Sequence, residues 1–343
     1  MGSVSLSGLS IVVVRSADEA AVRQWYELRC AVVRADQPGD PLPCWRNELG
    51  RMRHPWPGHD QHVWLARIGD VVVGGAELGL PTLDNLSNAV GDVLVAPEYR
   101  RGGIGQALLA HLRAEASAAG RIRLTVDVEH PLDGAVADPA RRFAEMSGAV
   151  LALEQTRRRL DLASVVPDVL TDLERQARAR AQGYSLVQWT GAAPQRWLDD
   201  LAYLTGRMSL DEPLDDLRWD RELFDAQRVR GQDASLLARG LRRVTTGAVH
   251  DRSAKLVAFT QIGRCATTGW YGGQWFTIVA PEHRGHRLGT LVKLANLDYA
   301  LVNGPELRVI DTWNADSNRY MVSINEAMGF RPHSRAGQWQ LDL

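Results

Sequence analysis

The sequence predicts a mixed α/β (α+β) protein built from two copies of one unit, and three observations carry that reading. A chain of 343 residues holds two domains at roughly 100–200 residues each. Val95-Ala-Pro-Glu-Tyr-Arg100 returns as Val279-Ala-Pro-Glu-His-Arg284, and Val71–Gly79 faces Lys255–Gly263 across the same offset of 184 residues. Two separate segments sharing one offset mark a duplication. Within each copy, short β-branched runs alternate with stretches of helical periodicity, the order expected of α/β or α+β architecture.

In the first copy, Ser10–Arg15 reads as a strand and Asp18–Val33 as a helix. Val63–Ile68 and Val71–Leu80 follow as strands joined by a Gly69-Asp70 turn, then the strand Val90–Val95. Ile104–Ala119 is a helix stopped by Gly120, Arg121–Val128 a strand, Pro139–Ser147 a helix, and Val150–Leu162 a closing strand or pair of strands. The second copy repeats this order: strand Tyr184–Trp189, helix Pro194–Met208, strands Arg242–His250, Leu256–Gly263 and Trp275–Val279, helix Leu288–Val302, strand Leu307–Thr312 and helix Ser317–Met328. Pro167–Gln182 reads as a polar-faced helix between them, so the expected domains are 1–165 and 184–343 with a helical linker at 166–183.

Composition narrows the function. Forty basic residues against 41 acidic leave no basic excess, which argues against a nucleic-acid binder. No stretch approaches the roughly 20 apolar residues of a membrane span. The apolar run Leu9–Val14 has neither a basic segment before it nor a cleavage-like site after it, so no signal peptide is expected. Cys30, Cys44 and Cys265 form no CxxC pair and read as separate buried thiols; no metal site and a reducing cytoplasmic setting are expected.

The chemistry concentrates where Val95 leads through Arg100-Arg101-Gly102-Gly103-Ile104-Gly105 into a helix. Such a turn aims backbone N–H groups and the positive end of a helix dipole at one point, which suits a phosphate or pyrophosphate. Glycines let an anion approach the backbone, and Arg100 and Arg101 add charge. The bland alternative is a tight turn with two solvated arginines. GxGxxG is absent, and no Gly-Lys-Ser/Thr marks a Walker loop.

Arg100-x-x-Gly103-x-Gly105 resembles the Arg/Gln-x-x-Gly-x-Gly/Ala signature of the GNAT acetyltransferase superfamily. His283-Arg284-Gly285-His286-Arg287-Leu288-Gly289 resembles the same signature, as do Asn318 and Gly329-Phe330 the family's later asparagine helix and closing Gly-Phe. The resemblance covers nearly the whole chain and implies two tandem GNAT domains, each a mixed, mostly antiparallel sheet flanked by helices. It implies acetyl-CoA as donor, its pyrophosphate on the turns and its pantetheine arm along the strands ending at Val95 and Val279. An amine acceptor would then attack the thioester directly, and no activated nucleophile in the sequence argues otherwise.

Each copy departs from the pattern. In the first, Ala137 stands for the family asparagine, Ala144 for the tyrosine acid, and Gly148-Ala149 for Gly-Phe. In the second, Asn318 is kept, but Arg287 replaces a glycine and Asn325 the tyrosine. The expected base is Asp92, three residues before Val95, with Glu77 one strand earlier in reserve. Gln274–Val279 contains no acid, which puts turnover by the second copy in doubt.

The acceptor expected is a small-molecule amine. Asp211, Glu212, Asp215, Asp216, Asp220 and Glu222 could gather a cation in the second copy, or be a solvated, helix-capping face. In the first copy, Arg46, Arg51, Arg53, His54, Trp45 and Trp56 suit an anionic or aromatic acceptor, or packing against the other half. His283 and His286 either assist phosphate binding or are ordinary turn histidines. The expectation is thus a monomeric or dimeric acetyl-CoA-dependent N-acetyltransferase. Its rivals are a non-catalytic CoA-binding protein and a transferase of longer acyl groups.

Overall fold

The computed structural model describes residues 8–132 and 138–343. In chain order the first copy contains β1 (Leu9–Val13), α1 (Glu19–Asp36), α2 (Trp45–Arg53), β2 (His59–Ile68), β3 (Val71–Pro81), β4 (Asn88–Val95), α3 (Ile104–Ala118), β5 (Arg123–Pro131), α4 (Pro139–Met146) and β6 (Val150–Asp161). After α5 (Pro167–Arg180) come β7 (Tyr184–Thr190), α6 (Leu198–Asp211), α7 (Ala226–Ala238), β8 (Leu241–His250), β9 (Lys255–Cys265), β10 (Tyr271–Val279), α8 (Leu288–Val302), β11 (Val309–Ala315), α9 (Arg319–Ala327) and β12 (Arg331–Asp342). Local chemistry sets several boundaries: Asp18 caps α1 through Ala21 N–H, Asp138 caps α4, and Pro167 opens α5 where its missing N–H is harmless.

All these strands join one sheet in the order β1-β2-β3-β4-β5-β12-β6-β11-β10-β9-β8-β7. Pairing is antiparallel except at β4–β5 and β10–β11. The closing strands are traded. β6, last strand of the first copy, pairs with β11 of the second; β12, last strand of the second, pairs with β5 of the first; and the two pair with each other at the centre. Packing follows the trade: Trp339 and Leu341 of β12 lie in the first copy's core with Leu108, Leu112 and Leu124, while Leu160 of β6 lies in the second copy's core with Ile262, Leu294 and Ile324.

At this seam Asp311, with no exposed surface, receives Arg157 and, at 2.8 Å, Arg159 from β6; Asp40, from the loop before α2, receives the same two arginines at 2.5 and 2.8 Å. Burial works against the charge on Arg157, and the carboxylates around it override that effect and raise its pKa. A buried ion network of this kind stands only because every charge in it is matched.

The structure corrects the cysteine expectation. Cys44, at the start of α2, is disulfide-bonded to Cys265 at the end of β9, and only Cys30 is a free buried thiol. The two partners lie 221 residues apart, a separation that the folded contact between α2 and the second copy closes and that spacing alone does not reveal. The bond removes one ground for expecting a reducing compartment. Among the described residues no helix is long and apolar enough to cross a membrane.

Candidate active site

Each parallel strand pair opens into a fork. β4 and β5 pair from Asn88–Arg123 to Gly91–Val126 and then part; β10 and β11 pair from Tyr271–Val309 to Gly273–Asp311 and then part. Beyond each fork the chain turns into α3 or α8.

The two turns share an unusual backbone. Arg101 and Gly103 have φ of +67° and +84°; the residues 184 later, Gly285 and Arg287, have +85° and +53°. Both turns therefore take the left-handed conformation at the same two places, with glycine filling one place in each copy. No backbone carbonyl among the described residues accepts from the N–H groups of Arg101 through Gln106, or of Gly285 through Thr290. Ile104 and Leu288, each 1% exposed, anchor the helix starts beneath. The resulting crown of unused donors fits a diphosphate.

The arginines behave differently from one another. Arg100 grips both oxygens of Asp36, at the end of α1, at 2.6 and 2.9 Å, and donates through Nε to Val95 O. Arg284 repeats this with Asp211, at the end of α6, and Val279 O. Both clamp the turn to a helix end, so their guanidinium groups are engaged. Arg101 is exposed beside the first turn. Arg287 extends away to Gln176 of α5, and His286 Nδ1 donates to Arg180 O. His283 bonds Tyr184 Oη at 2.8 Å; burial and then neighbouring His250 hold its pKa below the usual histidine value. Gly105 faces Phe143 of α4, where a Cβ would sit 3.4 Å from the ring, and Gly289 faces Ile324 of α9. Asn318 caps α9, accepting from Met321 N–H, and buried Asn325 donates to Asn314 at 2.7 Å. Ala137 lies outside the described residues.

The forks differ in the chemistry at their apex. In the first, Asp92 follows the last paired rung and its side chain keeps 42% of its surface open to the cleft. Burial pushes its carboxyl above the ordinary value; Arg29 at 3.5 Å opposes the shift, and Glu77 reinforces it. Glu77, opposite Asp92 on β3, is gripped by Arg51 and Gln61, with Arg29 at 3.5 Å. That leaves Asp92 the freer base. Asp127, first on β5 beyond the rung, was not singled out by sequence; burial and then Asp92 push its carboxyl up, while Gln338 of β12 opposes. In the second fork Gln261 and Phe276 take the places of Glu77 and Asp92; counted from the first paired rung Trp313 falls where Asp127 stands, and Asp311, locked by arginines, lies on the last paired rung.

The acidic stretch after α6 straps the halves together. Asp216 N–H donates to Ala152 O, Asp220 N–H to Asn85, and Arg218 pairs with Asp342. The basic-aromatic segment of the first copy likewise packs against the other half: Arg239 of α7 bonds Asn47 and lies over Trp56, and Ser235 bonds His54 O. Among the described residues, no group of three or more His, Cys, Asp or Glu is placed to hold a metal ion.

Comparison with known proteins places this geometry. The acetyltransferase (GNAT) family model matches residues 21–142. Mycothiol acetyltransferase of Corynebacterium kroppenstedtii is 27% identical over 95% of this chain and 92% of its own. A GCN5-related N-acetyltransferase from Sphaerobacter thermophilus, 15% identical, shares the fold with a TM-score of 0.65 over 97% of this chain and 95% of that one. A tandem GNAT protein from the clavulanic acid biosynthesis pathway is 32% identical over 97% of this chain and 98% of that chain, with a TM-score of 0.81. A duplicated fork, a donor-lined turn at each, and that identity over almost both full lengths lead to one assignment: the chain belongs to the GNAT acetyltransferases, acyltransferases that use acetyl-CoA, and is a tandem member of the family.

Proposed function

We propose that the first copy transfers an acetyl group from acetyl-CoA to a small-molecule amine, with Asp92 as base. One observation carries the reading: the first fork alone combines an open carboxylate at its apex with the donor-lined turn beyond it. Names tied to small molecules, mycothiol and clavulanic acid, in two relatives support a small acceptor.

The backbone N–H groups of Arg101 through Gln106 hold the diphosphate, with Val95 beside the pantetheine arm and Arg101 adding charge. Acetyl-CoA supplies the thioester carbonyl that the amine attacks. Asp92 takes one proton from the protonated amine; the freed nitrogen then forms the C–N bond as the C–S bond breaks, and its second proton reaches the departing thiolate. Glu77 holds Arg29 and Arg51 in place around it. In the second copy, Gly285 through Gly289 bind CoA in the same manner, but Phe276 leaves that fork without a base, so it serves binding and not turnover. The repeats 1–165 and 184–343, joined by 166–183, are the functional units.

Release of CoA thiol from acetyl-CoA over a panel of small amines tests the reading. Amine-dependent release that Asp92→Asn removes supports it; release at background for every amine overturns it in favour of a CoA-binding protein without turnover.

A further inference from the structure

Two carboxylates face one another across the first fork. The last paired rung is Gly91 with Val126, so Asp92 and Asp127 are the first residues of their strands beyond it. Glu77 stands opposite Asp92 on β3, and Gln338 opposite Asp127 on β12. Directly opposed residues present their side chains on one face of a sheet. A polar row of Glu77, Asp92, Asp127 and Gln338 therefore crosses four strands on the face that α1 and α2 cover. Glu77 is satisfied by Arg51, Gln61 and Arg29, whereas among the described residues the one ion pair of Asp92 is with Arg29, at 3.5 Å. Both aspartates remain open to the cleft.

The second fork offers a contrast. Its paired rungs run from Tyr271–Val309 to Gly273–Asp311, so fully buried Asp311 lies on the closed part of that fork, with Arg159 opposite it on β6 and Arg157 beside it. Counted from the first paired rung, Trp313 falls where Asp127 stands, and Phe276 lies 184 residues after Asp92. The aspartate of the second fork is locked by two cations, whereas Asp127 is left beside a second carboxylate.

We propose that Asp127 and Asp92 together form the seat of a protonated primary amine, so that the acceptor is a cationic alkylamine. This rests on the first copy being the transferring one. Asp127 holds the ammonium, and Asp92 receives the proton. Of the two protons nitrogen loses, the first passes to Asp92 and on to solvent, and the second reaches the departing thiolate. Mutual repulsion disfavours two neighbouring negative charges, and a cation between them relieves it. The other charges facing the pair are Arg29 of α1, Glu48 and Arg51 of α2, Glu77 of β3, and Glu129 of β5, the last matched by Arg157.

Carbon-13 NMR of the full chain with carboxyl-labelled aspartate, titrated with ethylammonium chloride against sodium chloride in the presence of acetyl-CoA, tests the seat. The expected result is that Asp127 titrates lower in Asp92→Asn than in the parent, and that millimolar ethylammonium lowers both titrations where sodium does not. In turnover, Asp127→Asn should raise the KM for amines at least tenfold while kcat changes less than threefold, and Asp127→Glu should restore part of the loss. Carboxylates that titrate independently of each other and of ethylammonium, or an unchanged KM, overturn the seat. Calorimetry separates the two claims: acetyl-CoA absent from the first turn overturns the underlying reading, whereas a bound donor beside indifferent carboxylates overturns the pairing alone.

Discussion

The proposed role of Asp92 as base rests on where β4 leaves β5. Beyond Gly91 no strand covers its carboxylate, and burial with Glu77 nearby raises its pKa above the ordinary 3.8. A base must be unprotonated to act, so kcat/KM should rise with pH across that elevated value. Asp92→Asn should remove this acid limb and lower kcat by about 10²–10⁴-fold, measured by thiol release. Lys293 makes a separate prediction. It is 1% exposed on α8, lies 5.3 Å from the Phe330 ring, and burial pulls its pKa from 10.5 to about 7. Between those values the unfolded chain holds a proton that the folded chain gives up. Stability is therefore lost as pH falls from 10.5 towards 7. Lys293→Met should be more stable than the parent by about 2–5 kcal/mol at pH 7, at about 1.4 kcal/mol per pKa unit, with the gap closing towards pH 10 in denaturant midpoints. Asp92 and Glu77 were legible from their distance to the turn. Asp127 was not, because its significance depends on strand register.

At the scale of elements, the turn before α3 is the proposed donor site. Gly103 sits at φ +84°, where a side chain is strained, and its amide belongs to the unused donors. Gly103→Glu places a carboxylate against the diphosphate and should abolish binding at the first turn, seen in calorimetry as one fewer CoA bound per chain while the second turn still titrates. The turns, their helices and the strands before them could be read because glycine, arginine and apolar periodicity mark them. Three elements could not. α2 fully buries Glu48 and Gly50 while its Trp45, Leu49 and Met52 are partly covered by the core, and α7 buries Arg228, Asp233 and Ser235 beside Val229 and Leu236. β12 opens Arg-Pro-His-Ser-Arg and shows strand alternation only near Trp339 and Leu341. Part of what holds them comes from the opposite copy, as where Ser235 bonds His54 O and Arg239 bonds Asn47, and periodicity does not report it. The predicted strand Leu307–Thr312 likewise begins two residues later, at Val309, because Leu307 N–H closes a turn onto Gly304 O.

For the whole molecule, traded strands make the halves interdependent for folding. Burying Trp339 and Leu341 contributes roughly 1.5–3 kcal/mol each to the first copy's core, a large share of the roughly 5–15 kcal/mol that holds a domain. Fragments 1–165 and 166–343 should therefore lack fixed aromatic packing when alone and regain it on mixing, followed by near-UV circular dichroism. A fragment that shows the native spectrum by itself would mean that its own last strand can return home. Duplication was evident from the repeated segments, but exchange was not, since both arrangements share one element order.

The trade has a mechanical corollary. β12 borders β5, β6 borders β11, and the two lie side by side, so a pair of strands is all that stands between the crevices. In the proposed reading a thioester carrier in one crevice borders a partition that is also the wall of the other, and Arg157 and Arg159 rivet that partition to Asp311 of β11. If both rooms take the donor as proposed, filling one should alter affinity in the other.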